Sequence, residues 1–382
     1  MSEPLRVLVV EDSEDDTLLL LRALRRGAYE PTFERVDTPG AMRAALDRQA
    51  WDVVVADFSM PRFNALAALD LVKKKGLDVP FIIVSGTIGE DLAVQAMRNG
   101  AHDYIMKGNL TRLVPAVQRE LREAIERRAR KRAEGALRDT EEQFRVAREI
   151  QQRLFPKVAP PFGPFEMAGA SYPAEATGGD YFDYLPMADG CLGVVVADVT
   201  GHGVGPALLM AETRAYLRTL VMSAPDVGEI VTRANRMLAE DVDFERFVTL
   251  MLVKLDAKSH SLTYTSAGHP TAYVLDDSGE VKTLLKRTGA PLGVQQETPY
   301  ASAPALKLSA GDLVLIPTDG MEEAVSPQNE LFGTERLLEI ARSHRHESAR
   351  HILEALFSAV RDFSKGQPQS DDLTVVVIKV TS

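Results

Sequence analysis

Between residues 5 and 120, short apolar runs alternate with amphipathic stretches. Leu5–Val10 reads as a buried strand, and Thr17–Arg26 carries the three- and four-residue spacing of a helix with one apolar face. Val53–Ala56, Phe81–Val84 and Tyr104–Met106 are further short apolar runs, with helical stretches between them. This rhythm predicts a doubly wound parallel sheet with helices on both faces. In such folds the chemistry gathers at the carboxyl ends of the strands.

The pattern changes from Leu113 to Leu154, where Pro115 is the sole proline and Gly135 the sole glycine. Apolar residues recur at Val114, Val117, Leu121 and Ile125, thin out at Ala129, Ala133 and Leu137, and resume at Phe144, Ala147, Ile150 and Leu154. These steps predict one long helix or two in series. The seam is too thin to bury within a domain, so a dimeric coiled coil is expected, with a single solvated spacer helix as the alternative. Pro156, Pro160, Pro161 and Pro164 are expected to end the helix and mark a boundary.

Beyond them come β-like runs at Phe165–Ala170, Cys191–Ala197, Val248–Leu255, Leu262–Ser266, Ala272–Leu275, Leu313–Pro317 and Leu373–Val380. Helical patterns occupy Pro206–Met222, Val227–Asp241, Thr334–Ser343 and Ser348–Phe363. Strand runs with separate helix runs predict an α+β domain, with helices packed on sheets. The expected division is 1–120, a helical connector over 121–160, and 161–382.

Charge sharpens this division. The net charge of −11 is distributed as −3 over residues 1–120, +3 over 121–155 and −11 over 156–382. An acidic C-terminal domain suits cations and is a poor surface for nucleic acid. The basic run Arg127, Arg128, Arg130, Lys131 and Arg132 reads as a solvated helix face, because no helix-turn-helix pattern accompanies it. Cys191 is the single cysteine, which excludes an intramolecular disulfide and a cysteine-based zinc site. No basic-then-apolar leader and no apolar run of membrane-spanning length are seen, so no membrane association and a cytoplasmic location are expected.

In the N-terminal domain, Glu11 and Asp12 follow the first strand, Asp57 the third, Ser85 the fourth and Lys107 the fifth. Three carboxylates can hold Mg²⁺, and Asp57 can then act as a nucleophile toward a phosphoryl donor. Ser85 can hydrogen-bond the acquired phosphate and Lys107 can pair with it. Acids after strands also serve as helix caps, but caps alone do not explain five such residues in this order. The set resembles the receiver domain of two-component response regulators, the CheY-like family. The resemblance implies Asp57 as phospho-acceptor, Glu11, Asp12 and Asp57 as Mg²⁺ ligands, and Ser85 with Tyr104 as a switch pair. It implies a sensor histidine kinase as partner. Gly108 departs from the family, which usually has proline after the lysine.

In the C-terminal half, acids stand at strand ends beside glycines. Asp180 lies in Gly178-Gly179-Asp180-Tyr181-Phe182-Asp183, and Asp198 in Asp198-Val199-Thr200-Gly201-His202-Gly203. Asp319 lies in Thr318-Asp319-Gly320, and Asp371 and Asp372 precede Leu373. Such acids can converge on two Mg²⁺ or Mn²⁺ ions, which prefer oxygen ligands and activate water for attack on phosphate. The glycines let backbone approach the site closely. His202, four residues past Asp198, is a candidate for a role near the reacting phosphate. Ser266-Ala267-Gly268-His269-Pro270 reads as a tight turn holding the sheet.

With Pro291-Leu292-Gly293 and the helix end Glu149–Pro156, these motifs resemble the SpoIIE and RsbU type of serine/threonine phosphatase, a bacterial branch of the metal-dependent PPM (type 2C) family. The resemblance implies a β-sandwich flanked by helices. It implies two Mn²⁺ or Mg²⁺ held by Asp180, Asp198, the Val199 carbonyl, Asp319 and either Asp371 or Asp372. It also implies a phosphorylated anti-sigma-factor antagonist as substrate. The phosphate-gripping arginine of eukaryotic relatives has no counterpart here. The combined expectation is a response regulator whose phosphorylation at Asp57 controls a phosphatase, as a homodimer through the connector helix. The competing expectation is a catalytically inactive adaptor that binds a partner.

Overall fold

The computed structural model describes residues 2–86, 90–242 and 246–381. The chain forms two compact units, Met1–Asp139 and Thr140–Ser382.

The first unit runs β1 (Glu3–Val10), α1 (Glu14–Arg26), β2 (Tyr29–Val36), α2 (Pro39–Arg48), β3 (Val53–Asp57), α3 (Ala65–Lys74), β4 (Phe81–Ser85), α4 (Glu90–Arg98) and β5 (Asp103–Met106). A 3-10 segment, Lys107–Arg112, then leads into α5 (Leu113–Gln152). The strands form one sheet in the order β2-β1-β3-β4-β5, and every pair is parallel. Alternation along the strands feeds two cores. Leu8, Val10, Val54, Ala56 and Ile83 pack with Met42, Leu69 and Val72 on one face. Val7, Val9, Val55, Ile82 and Val84 pack with Leu20, Leu24, Leu113 and Val117 on the other. Each such side chain contributes about 1.5–3 kcal/mol by leaving water. Glu-Pro-Thr-Phe-Glu-Arg within β2 lacks an apolar run because β2 is an edge strand, with Phe33 exposed.

α5 is one helix of 40 residues. Its first turns are buried through Leu113, Ala116, Val117 and Ala124, while Ile125, Leu137, Phe144 and Ile150 are exposed. The helix ends at Gln152, before the first of the prolines expected to stop it.

The second unit begins with β6 (Phe165–Tyr172), β7 (Tyr181–Pro186), β8 (Leu192–Val199), α6 (Val204–Leu220) and α7 (Val227–Asp241). It continues through β9 (Val248–Asp256), β10 (Ser261–Ala267), β11 (Ala272–Leu275), β12 (Val281–Leu285), β13 (Leu306–Lys307) and β14 (Leu313–Pro317). It closes with α8 (Asp319–Glu323), α9 (Gly333–Ser343), α10 (Ala349–Ser364) and β15 (Leu373–Val380). Two antiparallel sheets, β13-β10-β9-β8-β7 and β12-β11-β14-β15-β6, stack face to face. Period-two alternation assigns the layers. Val194 and Val196 of β8 enter the core between the sheets with Val314 and Val376. Val195, Ala197 and Val199 turn outward under α6 and α7. Leu315, Val375 and Val377 do the same under α9 and α10. The result is the expected β-sandwich flanked by helices. Strands β7, β12 and β13 and helix α8 lie outside the predicted elements. Among the described residues, no helix is long and apolar enough to cross a membrane.

Candidate functional site

In the first unit, parallel strands bring their carboxyl ends to one edge of the sheet. Glu11 and Asp12 begin the loop after β1, Asp57 and Ser85 end β3 and β4, and Lys107 follows β5. Glu11, Asp12 and Asp57 each offer a carboxylate oxygen within 4.8 Å of the others. The Lys107 Nζ donates to Glu11 Oε2 at 2.9 Å and Asp57 Oδ2 at 3.0 Å, and also to Asp16 Oδ2. Burial pushes the Lys107 ammonium down, but these bonds to Asp16, Glu11 and Asp57 outweigh it and raise it. Burial raises the Glu11 carboxyl despite the Lys107 bond. Arg35, at the end of β2, donates to the carbonyls of both Glu11 and Asp12 at 3.2 Å and so braces the acidic loop. Ser85 is buried, and Tyr104 is half-buried on the neighbouring strand β5. Asp16 and Arg35 escape sequence reasoning because their contacts come from tertiary packing.

In the second unit, Asp180 immediately precedes β7 and Asp198 is the penultimate residue of β8. Asp319 opens α8 after β14, and Asp371 and Asp372 precede β15. Asp180 is 2% exposed. It accepts a hydrogen bond from Thr318 Oγ1 at 2.9 Å, and its N–H donates to Asp372 Oδ2 at 3.2 Å. Burial, then the charges of Asp198 and Asp372, hold its carboxyl well above the usual range. Asp198 is raised to about 7 by burial and by Asp319, Asp371 and Asp372. Partial desolvation of its carboxyl and the nearby acids Asp319 and Asp372 also raise Asp371.

Among the described residues, no lysine or arginine ion-pairs with Asp180, Asp198, Asp319 or Asp371. Asp183 shows the contrast within the same motif. It is fully buried, accepts from Arg218 at 2.8 and 2.9 Å and from the Tyr181 hydroxyl at 2.9 Å, and is thereby neutralised within the fold. Acids that gather without a cationic partner fit divalent cations. No second trio of ligand atoms closes to 4.8 Å among the described residues.

The glycines have steric causes. A Cβ on Gly179 would stand 2.5 Å from the Val199 carbonyl oxygen, so that oxygen lies against the Asp180 loop. A Cβ on Gly178 would meet Asp372 Oδ2 at 2.1 Å, and one on Gly320 the Asp372 carbonyl at 2.1 Å. Asp372 is buried and its two carboxylate oxygens accept from the N–H groups of Ala174, at 2.8 Å, and Asp180. Asp371 is exposed.

His202 is exposed, with Nδ1 2.8 Å from Glu175 Oε1. His269 is fully buried, with Nε2 3.1 Å from the Pro317 carbonyl. Burial lowers it to about 3, so it is neutral and ties its turn to the strand leading into Asp319. Glu323, four residues after Asp319 on α8, is raised by burial and by the charges of Asp319 and Asp371. The sequence reading omits it because α8 is too short to show periodicity. A cavity of about 260 Å³ opens beside Asp371, lined by Gly320, Val325, Pro368 and Leu373 among others.

The first unit is thus a parallel sheet with an acidic cluster at its carboxyl edge, and the second an acid-lined sandwich. The response regulator receiver domain model matches residues 7–118. The stage II sporulation protein E (SpoIIE) model matches residues 188–381, and the chain belongs to that family.

The chain is 28% identical over 258 residues to protein IcfG of Synechocystis, covering 60% of this chain and 40% of IcfG. It is 23% identical over 245 residues to the phosphoserine phosphatase RsbU of Bacillus subtilis, covering 64% of this chain and 72% of RsbU. Among solved structures, the SiaA-PP2C domain of Pseudomonas aeruginosa superposes with a TM-score of 0.56 at 22% identity. That match covers 64% of this chain and 98% of the SiaA domain, and it establishes the shared fold.

Proposed function

We propose that the chain is a response regulator whose output is a metal-dependent phosphoserine/phosphothreonine protein phosphatase. Residues 1–120 receive the signal, 121–160 connect, and 161–382 carry the hydrolytic site. The observation that carries this reading is the convergence of Asp180, Asp198, Asp319 and Asp371 with no lysine or arginine ion-paired to them among the described residues, Asp198 being raised to about 7. Asp180, Asp198, the Val199 carbonyl, Asp319 and Asp371 would hold two Mn²⁺ or Mg²⁺. Such ions, when bound, supply an activated water and neutralise phosphate oxygens.

The chain's own residues do the rest. Thr318 and the Asp372-anchored N–H of Asp180 orient the Asp180 carboxylate. Asp371 is the ligand and Asp372 its neighbouring brace, because both oxygens of Asp372 already accept backbone N–H groups. His202, exposed and paired with Glu175, would act on the arriving phosphorylated side chain.

In the receiver, Asp57 would take a phosphoryl group from a sensor histidine kinase, and Glu11, Asp12 and Asp57 would hold the Mg²⁺ that neutralises the phosphoryl oxygens. Lys107 transfers part of its bonding to the new phosphoryl oxygens, and Ser85 and Tyr104 reorient. The exposed seam of α5, Ile125, Leu137, Phe144 and Ile150, pairs two copies as a coiled coil. RsbU is named a phosphoserine phosphatase, which supports a phosphoserine-bearing substrate; the resemblance of the motifs to the SpoIIE and RsbU type implies that this substrate is a phosphorylated anti-sigma-factor antagonist. The test is Mn²⁺-dependent phosphate release from a phosphoserine protein by wild type and by Asp319→Asn. Equal release by both, or none by wild type, overturns the assignment.

A further inference from the structure

Gln151 is the penultimate residue of α5, on a stretch of otherwise solvated positions, yet it is only 7% exposed. Its amide grips the backbone of Gly178 from both sides. Nε2 donates to the Gly178 carbonyl at 2.6 Å, and Oε1 accepts from the Gly178 N–H at 3.1 Å. A primary amide supplies both the donor and the acceptor that this arrangement uses, which an ionised carboxylate cannot. Gly178 is the residue whose missing Cβ makes room for Asp372 Oδ2, which in turn accepts from the N–H of Asp180. The loop carrying Asp180 is therefore fixed at two points, by Asp372 from the turn before β15 and by Gln151 from the last turn of α5.

We infer that Gln151 is a positioning residue for the metal site. It holds the Gly178–Gly179–Asp180 loop so that Asp180 and the Val199 carbonyl face the same ion, and its loss loosens metal retention more than it loosens the fold. This rests on the reading of the acids as metal ligands. A buried side chain that bonded the loop for stability alone would change the melting temperature without a selective effect on metal.

The experiment compares the full chain with its Gln151→Ala and Gln151→Glu variants, using Asp198→Asn as the reference for loss of the site. Mn²⁺ binding is followed by the electron paramagnetic resonance signal of free Mn²⁺, alongside the melting temperature in EDTA. Binding present in wild type and absent in Asp198→Asn belongs to this site. Removing an outer partner of a ligand weakens metal affinity ~10-fold, and that loss is expected for Gln151→Ala, with the EDTA melting temperature close to wild type. Gln151→Glu keeps the acceptor but sets a carboxylate oxygen against the Gly178 carbonyl, so its loss should be at least as large. Unchanged Mn²⁺ affinity in both variants overturns the inference while leaving the metal site standing. Wild type binding no more Mn²⁺ than Asp198→Asn overturns the site itself, and this inference with it.

Discussion

Replacing Asp198 with asparagine should stabilise the metal-free second unit at alkaline pH and abolish that unit's response to metal. Asp198 is raised from the ordinary 3.8 to about 7 in the folded chain, by burial and by the charges of Asp319, Asp371 and Asp372. Between those two values the folded state keeps a proton that the unfolded state has released. Stability of the metal-free protein therefore falls as pH rises through that window and levels off above it. Ionising the buried group costs ~4 kcal/mol at 1.36 kcal/mol per pH unit. Charge sharing among the neighbouring acids reduces this to about 2 kcal/mol. Asparagine keeps the shape and removes the charge. For a unit of this size, about 2 kcal/mol moves the melting temperature by roughly 5 °C. Scanning calorimetry in EDTA should show Asp198→Asn melting above wild type at pH 8 and close to it at pH 4. With excess Mn²⁺ at pH 8 the order should reverse, because wild type alone gains binding energy there. An asparagine variant that melts below wild type in EDTA at pH 8, or gains as much from Mn²⁺, would refute the reasoning.

Other outcomes follow from the same contacts. Asp57→Asn should abolish acetyl-phosphate labelling of the chain, read on a phosphate-affinity gel, while leaving Mn²⁺-dependent phosphatase turnover measurable. Lys107→Ala removes the cation shared by Glu11, Asp16 and Asp57, and should destabilise the metal-free receiver by about 2–3 kcal/mol in urea titration. Mg²⁺ should recover part of that loss. Gly179→Ala drives a methyl group toward the Val199 carbonyl and should cost about 1–3 kcal/mol with loss of phosphatase turnover but normal labelling of Asp57. Asp371→Asn should raise the Mn²⁺ requirement with little change in melting temperature. Asp372→Asn should lower stability by about 1.5–3 kcal/mol, as expected when charge-assisted bonds to buried N–H groups are weakened.

Much of the architecture was legible because burial writes periodicity into sequence. β1, β3, β4 and β8 are buried on both faces or sit at layer boundaries, so Val-rich runs announce them. The edge strand β12, Val281–Leu285, is exposed along most of its length and carries too weak a pattern to be seen. β7 was hidden inside a motif read for its acids, although its five leading residues are all buried. The acids themselves were legible because chemistry demands their type at strand ends. Their supports were not. Gln151 and Gly178, or Lys107 and Asp16, are distant in sequence and meet only after folding. The preference for Asp371 over Asp372 as the proposed ligand likewise rests on geometry, since spacing cannot say which carboxylate already accepts from backbone N–H groups.

The central claim is that Asp57 governs hydrolysis at the Asp180–Asp198–Asp319–Asp371 site. Its most direct test is phosphate release from a phosphoserine-bearing antagonist protein in Mn²⁺, with and without beryllofluoride on the receiver. The account predicts metal-dependent turnover whose rate changes with beryllofluoride in wild type and does not change in Asp57→Asn. Turnover indifferent to beryllofluoride would contradict the coupling, and no turnover by the folded, metal-loaded chain in either state would contradict the enzyme.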